Sequence, residues 1–538
     1  MTSFGCCPLS MQLFAFGVIA LFLVYKWVTG TFDFFAKRNI SFERPIPLFG
    51  NLGGIVFGKQ TVLDVARRLY TKYKSQKYYG TFNLRTPILT IADLGLIKQI
   101  GVKDFASFPN HRSFIEPEDH VLLATSLFFL KDQRWKDMRT TLSPAFTGNK
   151  LRQMLPLISK CCLNGSDYLW EKTSRDDGME LDINDFFIRY TVDVMASTAF
   201  GVEINSLKNV DNDFYRIARQ IMPVSLWATI RIFLCLSCRK LMRFLKVSII
   251  DESFLNYFKK LVLNTISIRS QEGIVRHDMI NLLMQAQEEY TEPKISGFDS
   301  NLEHPAVDES KSDLNPVNSK WSDDEIVAQC FMFLAGGFGP TSSTMSFCAH
   351  EIMAHPDVQQ KLLAEIDKTR ESLNGNPITY GDLEKMKYLD MVISETLRKW
   401  PTNVTTERVC SRNYQIENVD TGDRVDLEPG QNVEIPIAGL HYDPEYWTDP
   451  ENFDPERFND ENKKDIKPFT YLPFGVGPRN CIGSRFALIM MKASLYHLLS
   501  EFTLQESSKT QIPLTLVPLG IQYTSKGGFW MKIKPRNI

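Results

Sequence analysis

Between Phe474 and Gly483 the chain reads Phe-Gly-Val-Gly-Pro-Arg-Asn-Cys-Ile-Gly, a run suited to neither helix nor strand. Three glycines and a proline in ten residues disfavour both regular structures and mark a tight turn. The next residues, Ser484–Leu499, carry strong helical periodicity. Cys481 is therefore expected in a close loop at the start of a helix, where backbone N–H groups and the helix dipole favour a thiolate. So little side-chain bulk also lets a flat cofactor come close to the backbone. A structural cysteine beside an ordinary turn would not need this density of glycine.

The other cysteines point elsewhere. Ten in 538 residues are too few and too scattered for a disulfide scaffold, so most read as small buried hydrophobes in a reducing compartment. Cys235 and Cys238 form a lone C-x-x-C with no second pair or nearby histidines to complete a zinc site. Hydrophobic residues at 43 % and charged residues at 23 % describe a globular chain. A net charge of −2 argues against a nucleic-acid partner held by global electrostatics.

The first charged residue is Lys26. The 22 uncharged residues Phe4–Tyr25 would span about 33 Å as a helix, enough for one bilayer core. A cleaved secretory signal is the competing reading, but a basic leader and a small-residue cleavage site are both missing. Lys26, Lys37, Arg38 and Arg44 follow the span, which places the rest of the chain in the cytosol. The expected organisation is an anchor over 1–30, a linker with a stiff, extended proline hinge (Pro45, Pro47) over 31–51, and a globular body over 52–538.

That body reads as mainly α with a small β subdomain. Apolar spacing predicts helices over Val62–Tyr73, Trp135–Thr141, Lys150–Trp170, Ile183–Phe200, Phe254–Arg269, Met279–Glu288, Asp323–Ala354, Val358–Glu371 and Met391–Lys399. Strands are predicted at Tyr78–Asn83, Ile88–Ala92, Val433–Pro436 and Phe529–Ile533. Thr291–Lys320, rich in Ser, Asn, Asp, Glu and Pro, reads as a surface loop. Residues 221–250 mix apolar side chains with Arg231, Arg239, Lys240, Arg243 and Lys246. That pattern suits peripheral contact with a lipid headgroup layer; an internal core helix is the alternative.

Phe474-x-x-Gly477-x-Arg479-x-Cys481-x-Gly483 resembles the haem-binding signature of the cytochrome P-450 family. Three further motifs stand in that family's order: Trp135-x-x-x-Arg139, Glu395-Thr-Leu-Arg398 and Asp454-Pro-Glu-Arg457-Phe458. The segments Arg134–Phe146, Ala354–Leu362 and Phe35–Pro45 most resemble the microsomal group of insect family nine and vertebrate family three. The resemblance implies the mainly helical fold of that family, haem b, and Cys481 as the iron's thiolate ligand. It implies that Trp135, Arg139, Arg408, Arg479 and, less directly, His111 receive the haem propionates. Glu395, Arg398 and Arg457 become a structural triad supporting the cysteine loop.

Substrate contacts are implied at Phe129, Phe333, Phe338, Val404 and Leu519, in a pocket lined from 127–129, 333–341, 403–406 and 517–521. No dinucleotide-binding glycine fingerprint follows a strand, so electrons are expected from NADPH–cytochrome P-450 reductase, with cytochrome b5 as a further donor. Lys131, Arg134 and Lys136 are the candidate docking cations. The implied activity is monooxygenation of lipophilic molecules, xenobiotics first and endogenous lipids or steroids second, at the endoplasmic reticulum membrane. A non-enzymatic haem sink or sensor is the reading from a different class.

One motif departs from the pattern. The family's distal helix carries an acid followed by a threonine, where this chain has Ala335-Gly-Gly-Phe-Gly339-Pro340-Thr341. Pro340 takes the threonine's place and is expected to kink the helix and free the Gly336 carbonyl. Thr341 and Thr344 are the nearest hydroxyls. Three outcomes follow: a relay rebuilt on Thr341 or on water at Gly336, a weak relay that leaks peroxide, or an enzyme that consumes hydroperoxides.

Overall fold

The computed structural model describes residues 9–113, 115, 121–173, 177–221, 231, 234–235, 239–245, 247–248, 250–288, 321–417, 424–519 and 522–536. The surface loop expected at 291–320, Lys246, and most of 222–238 lie outside these. Helices dominate, and small antiparallel sheets flank them. The longer helices are α1 (Leu9–Thr29), α2 (Val62–Tyr73), α3 (Asp132–Leu142), α4 (Gly148–Lys172), α5 (Ile183–Ala199), α6 (Glu252–Glu272), α7 (Met279–Glu288), α8 (Asp323–Ala354), α9 (Pro356–Leu373), α10 (Lys387–Lys399) and α11 (Ser484–Glu501).

Local chemistry sets the starts. Thr61 with Asp64, and Ser322 with Glu325, form reciprocal capping boxes ahead of α2 and α8. α8 is apolar around most of its circumference and is buried along most of its length, with α5 packed along it. α11, directly after the cysteine loop, packs on α4 and against α8. One hydrophobic cluster gathers α3–α11, and a second lies beneath the sheet that begins the body.

That sheet joins β1 (Tyr78–Asn83), β2 (Thr86–Ile91), β7 (Asn432–Ile435) and β4 (Thr406–Val409) in the order β1-β2-β7-β4. Among these four strands β2 and β7 pair in parallel. Smaller sheets are β5 (Tyr414–Glu417) with β6 (Arg424–Leu427), β9 (Leu516–Leu519) with β10 (Gln522–Ser525), and β3 (Met179–Asp182)–β11 (Trp530–Pro535)–β8 (Phe502–Gln505). The β4–β7 register sets Arg408 opposite Val433, beside the site.

The N-terminal helix is exposed over Met11–Trp27 and is long and apolar enough to cross a bilayer. Its foot is docked on the body. Val28 is buried, the Arg85 guanidinium lies 4.1 Å from the Trp27 ring centroid, and Thr31 Oγ1 donates to the Arg85 carbonyl at 2.6 Å. The proline segment is not the extended bridge its sequence suggests. Ile46 and Gly50 exchange two 2.8 Å backbone bonds, closing a turn against β1. Gly50 has φ +59°, and a Cβ there would lie 2.3 Å from the Phe82 carbonyl oxygen.

Candidate functional site

The Phe474–Gly483 loop is shaped by close approach. Gly477, at φ +68°, sits so near Gly101 that a Cβ would fall 1.9 Å from its carbonyl oxygen. The Cys481 N–H donates to Phe474 O at 2.9 Å, and the thiol accepts from the Gly483 N–H. Cys481 keeps open surface, while Val476, Gly477, Arg479 and Phe486 around it are buried. Burial nevertheless pushes its thiol up, outweighing the Gly483 N–H and the Arg139 charge. The backbone N–H and the Arg139 charge favour the thiolate, in the sense expected of a helix start, and desolvation is the larger, opposing effect.

A buried cluster of cations stands beside the loop. Arg408 is fully buried and donates to Val476 O (2.7 Å) and Glu407 O (2.8 Å). Arg479 donates to Pro109 O (2.7 Å), Leu130 O (2.8 Å) and Asn110 Oδ1 (3.3 Å). Its guanidinium lies 3.9 Å from the centroid of the buried Trp135 ring. Arg408 Nε, Arg479 Nη1 and Arg112 Nη1 are buried with no hydrogen-bond partner among the described residues. Burial drives the Arg408 guanidinium down to about 10; burial, Arg408 and Arg139 drive Arg479 down to about 8. Stranded donors on crowded cations are what a pair of buried carboxylates would satisfy, so these residues fit a haem and its propionates.

Two of the expected propionate partners are already engaged. Both terminal nitrogens of Arg139 go to Asn480, to its carbonyl (2.9 Å) and to Oδ1 (2.7 Å), which clamps the residue before Cys481. His111 Nδ1 meets Glu407 O at 3.1 Å, so that nitrogen carries the hydrogen. Burial, Arg408 and Arg479 hold the ring well below the usual histidine range. Its other nitrogen is therefore an acceptor, and His111 donates to a carboxylate only if something overcomes both arginines. Asn110, which the sequence did not mark, bonds Arg479, the Asp132 N–H and the Asp132 carboxylate.

Behind the loop, Arg398 Nε and Nη2 bind the two Glu395 oxygens at 2.7 and 2.8 Å, both side chains fully buried. Arg457 Nε reaches Glu395 at 3.4 Å. Pro450 O and the Asp454 N–H complete the knot.

On α8 the helix runs unbroken through Pro340, so the expected kink does not interrupt it. The missing N–H at 340 still deprives the Gly336 carbonyl of its i+4 donor. Gly336 is exposed within a buried helix, and Met332, Phe333 and Pro340 beside it are partly open. A Cβ on Gly336 would meet only Met332 Cε, at 3.8 Å. Thr341 and Thr344 are buried, and the Thr344 hydroxyl donates to Pro340 O at 2.9 Å. Phe129, Phe333 and Val404 are half-buried, while Phe338 is fully buried in the core. The Leu519 side chain and residues 520–521 lie outside the described residues.

The Cytochrome P-450 family profile matches residues 40–530. Probable cytochrome P-450 9f2 of Drosophila melanogaster is 42 % identical over 98 % of this chain and 99 % of its own. Cytochrome P-450 9e2 of Blattella germanica is 40 % identical over 98 % of each chain. Cytochrome P-450 9c1 of Drosophila melanogaster is 38 % identical over 96 % of this chain and 97 % of its own.

Proposed function

Because the chain belongs to the cytochrome P-450 family of haem-thiolate monooxygenases, we propose that it oxidises lipophilic small molecules, xenobiotics before endogenous lipids or steroids, at the cytosolic face of the endoplasmic reticulum. The observation that carries the site assignment is an accessible Cys481 beside buried arginines with unpaired N–H groups. Haem b, ligated by Cys481 and held by Arg408, Arg479 and Trp135, would supply reductive activation of dioxygen, which thiolate donation to iron favours.

The chain's own residues do the rest. Arg139 clamps Asn480 and so fixes the approach of the sulfur. The Glu395–Arg398–Arg457 knot stiffens the scaffold beneath the loop. Phe129, Phe333 and Val404 present apolar surface to a substrate, and the docked N-terminal helix holds the body at a bilayer. Electrons come from NADPH–cytochrome P-450 reductase, with cytochrome b5 as a second donor; Lys131, Arg134 and Lys136 are the proposed contacts.

Proton delivery follows the Gly336 carbonyl, which can hold a water on the open face of α8, while Thr344 is occupied by Pro340 O. Thr341 is the reserve hydroxyl. That arrangement favours one second reading, a relay weak enough to release peroxide or to run on added hydroperoxide. The test is the carbon-monoxide difference spectrum of the reduced protein, then product formed per NADPH consumed with reductase. A thiolate-type spectrum that Cys481→Ser abolishes, with NADPH-dependent product, supports the proposal. Absence of bound haem overturns it, and turnover on peroxide alone moves it to the second reading.

A further inference from the structure

His441 ends the short helix Ile437–His441 and is fully buried. Its Nδ1 meets the Arg398 carbonyl at 3.1 Å, and a carbonyl only accepts, so Nδ1 bears the hydrogen. The Leu472 N–H donates to Nε2 at 2.8 Å, so that nitrogen is bare. The partners thus dictate one neutral tautomer. In return the His441 carbonyl accepts from Arg398 Nη1 at 2.9 Å. The ring also stacks on Tyr471, centroids 5.4 Å apart.

These bonds form one path. Glu395 holds Arg398 through both oxygens, and Arg398 exchanges two bonds with His441. His441 takes the Leu472 N–H, and the Leu472 carbonyl accepts the Gly475 N–H at 3.1 Å. Phe474, between them, accepts the Cys481 N–H. The loop is held from several sides, by Arg139 at Asn480, by Arg408 at Val476 and by the bonds of Arg479 to Pro109 and Leu130. His441 secures its leading end at Leu472, next to the Phe474 carbonyl that takes the Cys481 N–H.

We propose that His441 is a positioning residue that carries the fixed geometry of the Glu395–Arg398 pair to the cysteine loop, and so sets how firmly Cys481 holds its metal. The inference rests on the haem-thiolate reading, but its linkage half does not. The groups around the ring are Arg398, Glu395 behind it, Tyr471, and the neighbouring Tyr442 and Asp443 of its own segment. Burial and the Arg398 charge press the ring down to about 3, in keeping with the neutral form that the partners select.

The test divides the imidazole into its two halves in the full-length, haem-loaded protein. His441→Gln places an acceptor where Nε2 stood and keeps the Leu472 link. His441→Asn places a donor where Nδ1 stood and loses it. His441→Phe keeps the ring and loses both bonds. Hydrogen exchange over 470–475 reads the link directly, and the reduced carbon-monoxide spectrum reads sulfur ligation.

The Asn and Phe variants are expected to exchange the Leu472 amide about tenfold faster than wild type, the loss of one buried hydrogen bond. They should also convert sooner to the blue-shifted band of haem without thiolate, at unchanged helical content. The Gln variant should follow wild type on both. Gln and Asn variants that behave alike, or an Asn variant matching wild type, would overturn the proposal. Should a variant not fold, the ring nitrogen shifts of wild-type His441 decide: a hydrogen on Nε2 overturns it, and one on Nδ1 supports it. A wild-type protein with no thiolate spectrum removes the haem reading, while the Gln–Asn contrast in exchange still tests the linkage.

Discussion

Arg408 and Arg479 are cations penalised by burial, Arg479 also by the charges of Arg408 and Arg139, and each has a donor left over. Removing one should cost the holoprotein a charge-assisted bond to its cofactor, worth about 1.5–3 kcal/mol. Arg408→Gln is therefore expected to transfer haem to an apo-acceptor about ten- to a hundredfold faster than wild type, measured by absorbance; an unchanged rate would sever Arg408 from the propionates. Pro340 poses a second question at this scale. Pro340→Thr returns an N–H to the Gly336 carbonyl and puts a hydroxyl on the open face of α8. Product per NADPH should fall and peroxide rise, because the freed carbonyl that carries the relay is capped; a ratio that rises instead would take the relay away from Gly336.

Between elements, the knot of α10 with the Pro455–Phe458 turn carries the cysteine loop from behind. Glu395→Ala leaves Arg398 buried without its carboxylate, a defect expected to destabilise by about 3–5 kcal/mol. Thermal unfolding should show that loss, with poor haem incorporation, whereas Arg457→Ala, at the 3.4 Å edge of the knot, should do less.

Much of this was legible in the sequence because the signals are local. The spans of α2, α7, α8 and β1 match their apolar spacing to the residue. The glycine–cysteine loop is readable because only glycine tolerates the approach to Gly101. Non-local features were not legible. β4 (Thr-Glu-Arg-Val) has no alternation, and β5 and β6 alternate over only four residues each, too short a run to stand out. Asn110 and His441 act through side-chain and backbone groups far away in the chain, which no spacing rule reports. The proline hinge misled because a bonded turn and an extended bridge use the same prolines.

For the molecule as a whole, four histidines among the described residues are disfavoured as cations by burial and oppose acid. His350 and His497 are pushed down to about 4 and His441 to about 3, and His111 is well below its ordinary 6.5. Below about 6.5 the unfolded chain binds protons that these rings refuse. Stability should thus be full above that value and fall as pH drops toward 4, each ring adding at most about 1.4 kcal/mol per pH unit. Urea midpoints across pH 4–7 measure the slope. His497→Leu, at a ring whose Nε2 has no partner among the described residues, should make it shallower.

The contacts of Val28, Trp27 and Thr31 with the body join the apolar helix to the first hairpin without slack. A bilayer that grips the helix would then dictate the heading of the whole enzyme, as a mast stepped into a hull dictates its list. Inserting one residue at Lys26 would turn the lipid-embedded part by about 100° relative to the hairpin, so the hull must either roll or break the joint. Which side of the molecule greets oily solutes is in that sense decided by the register of a single helical turn.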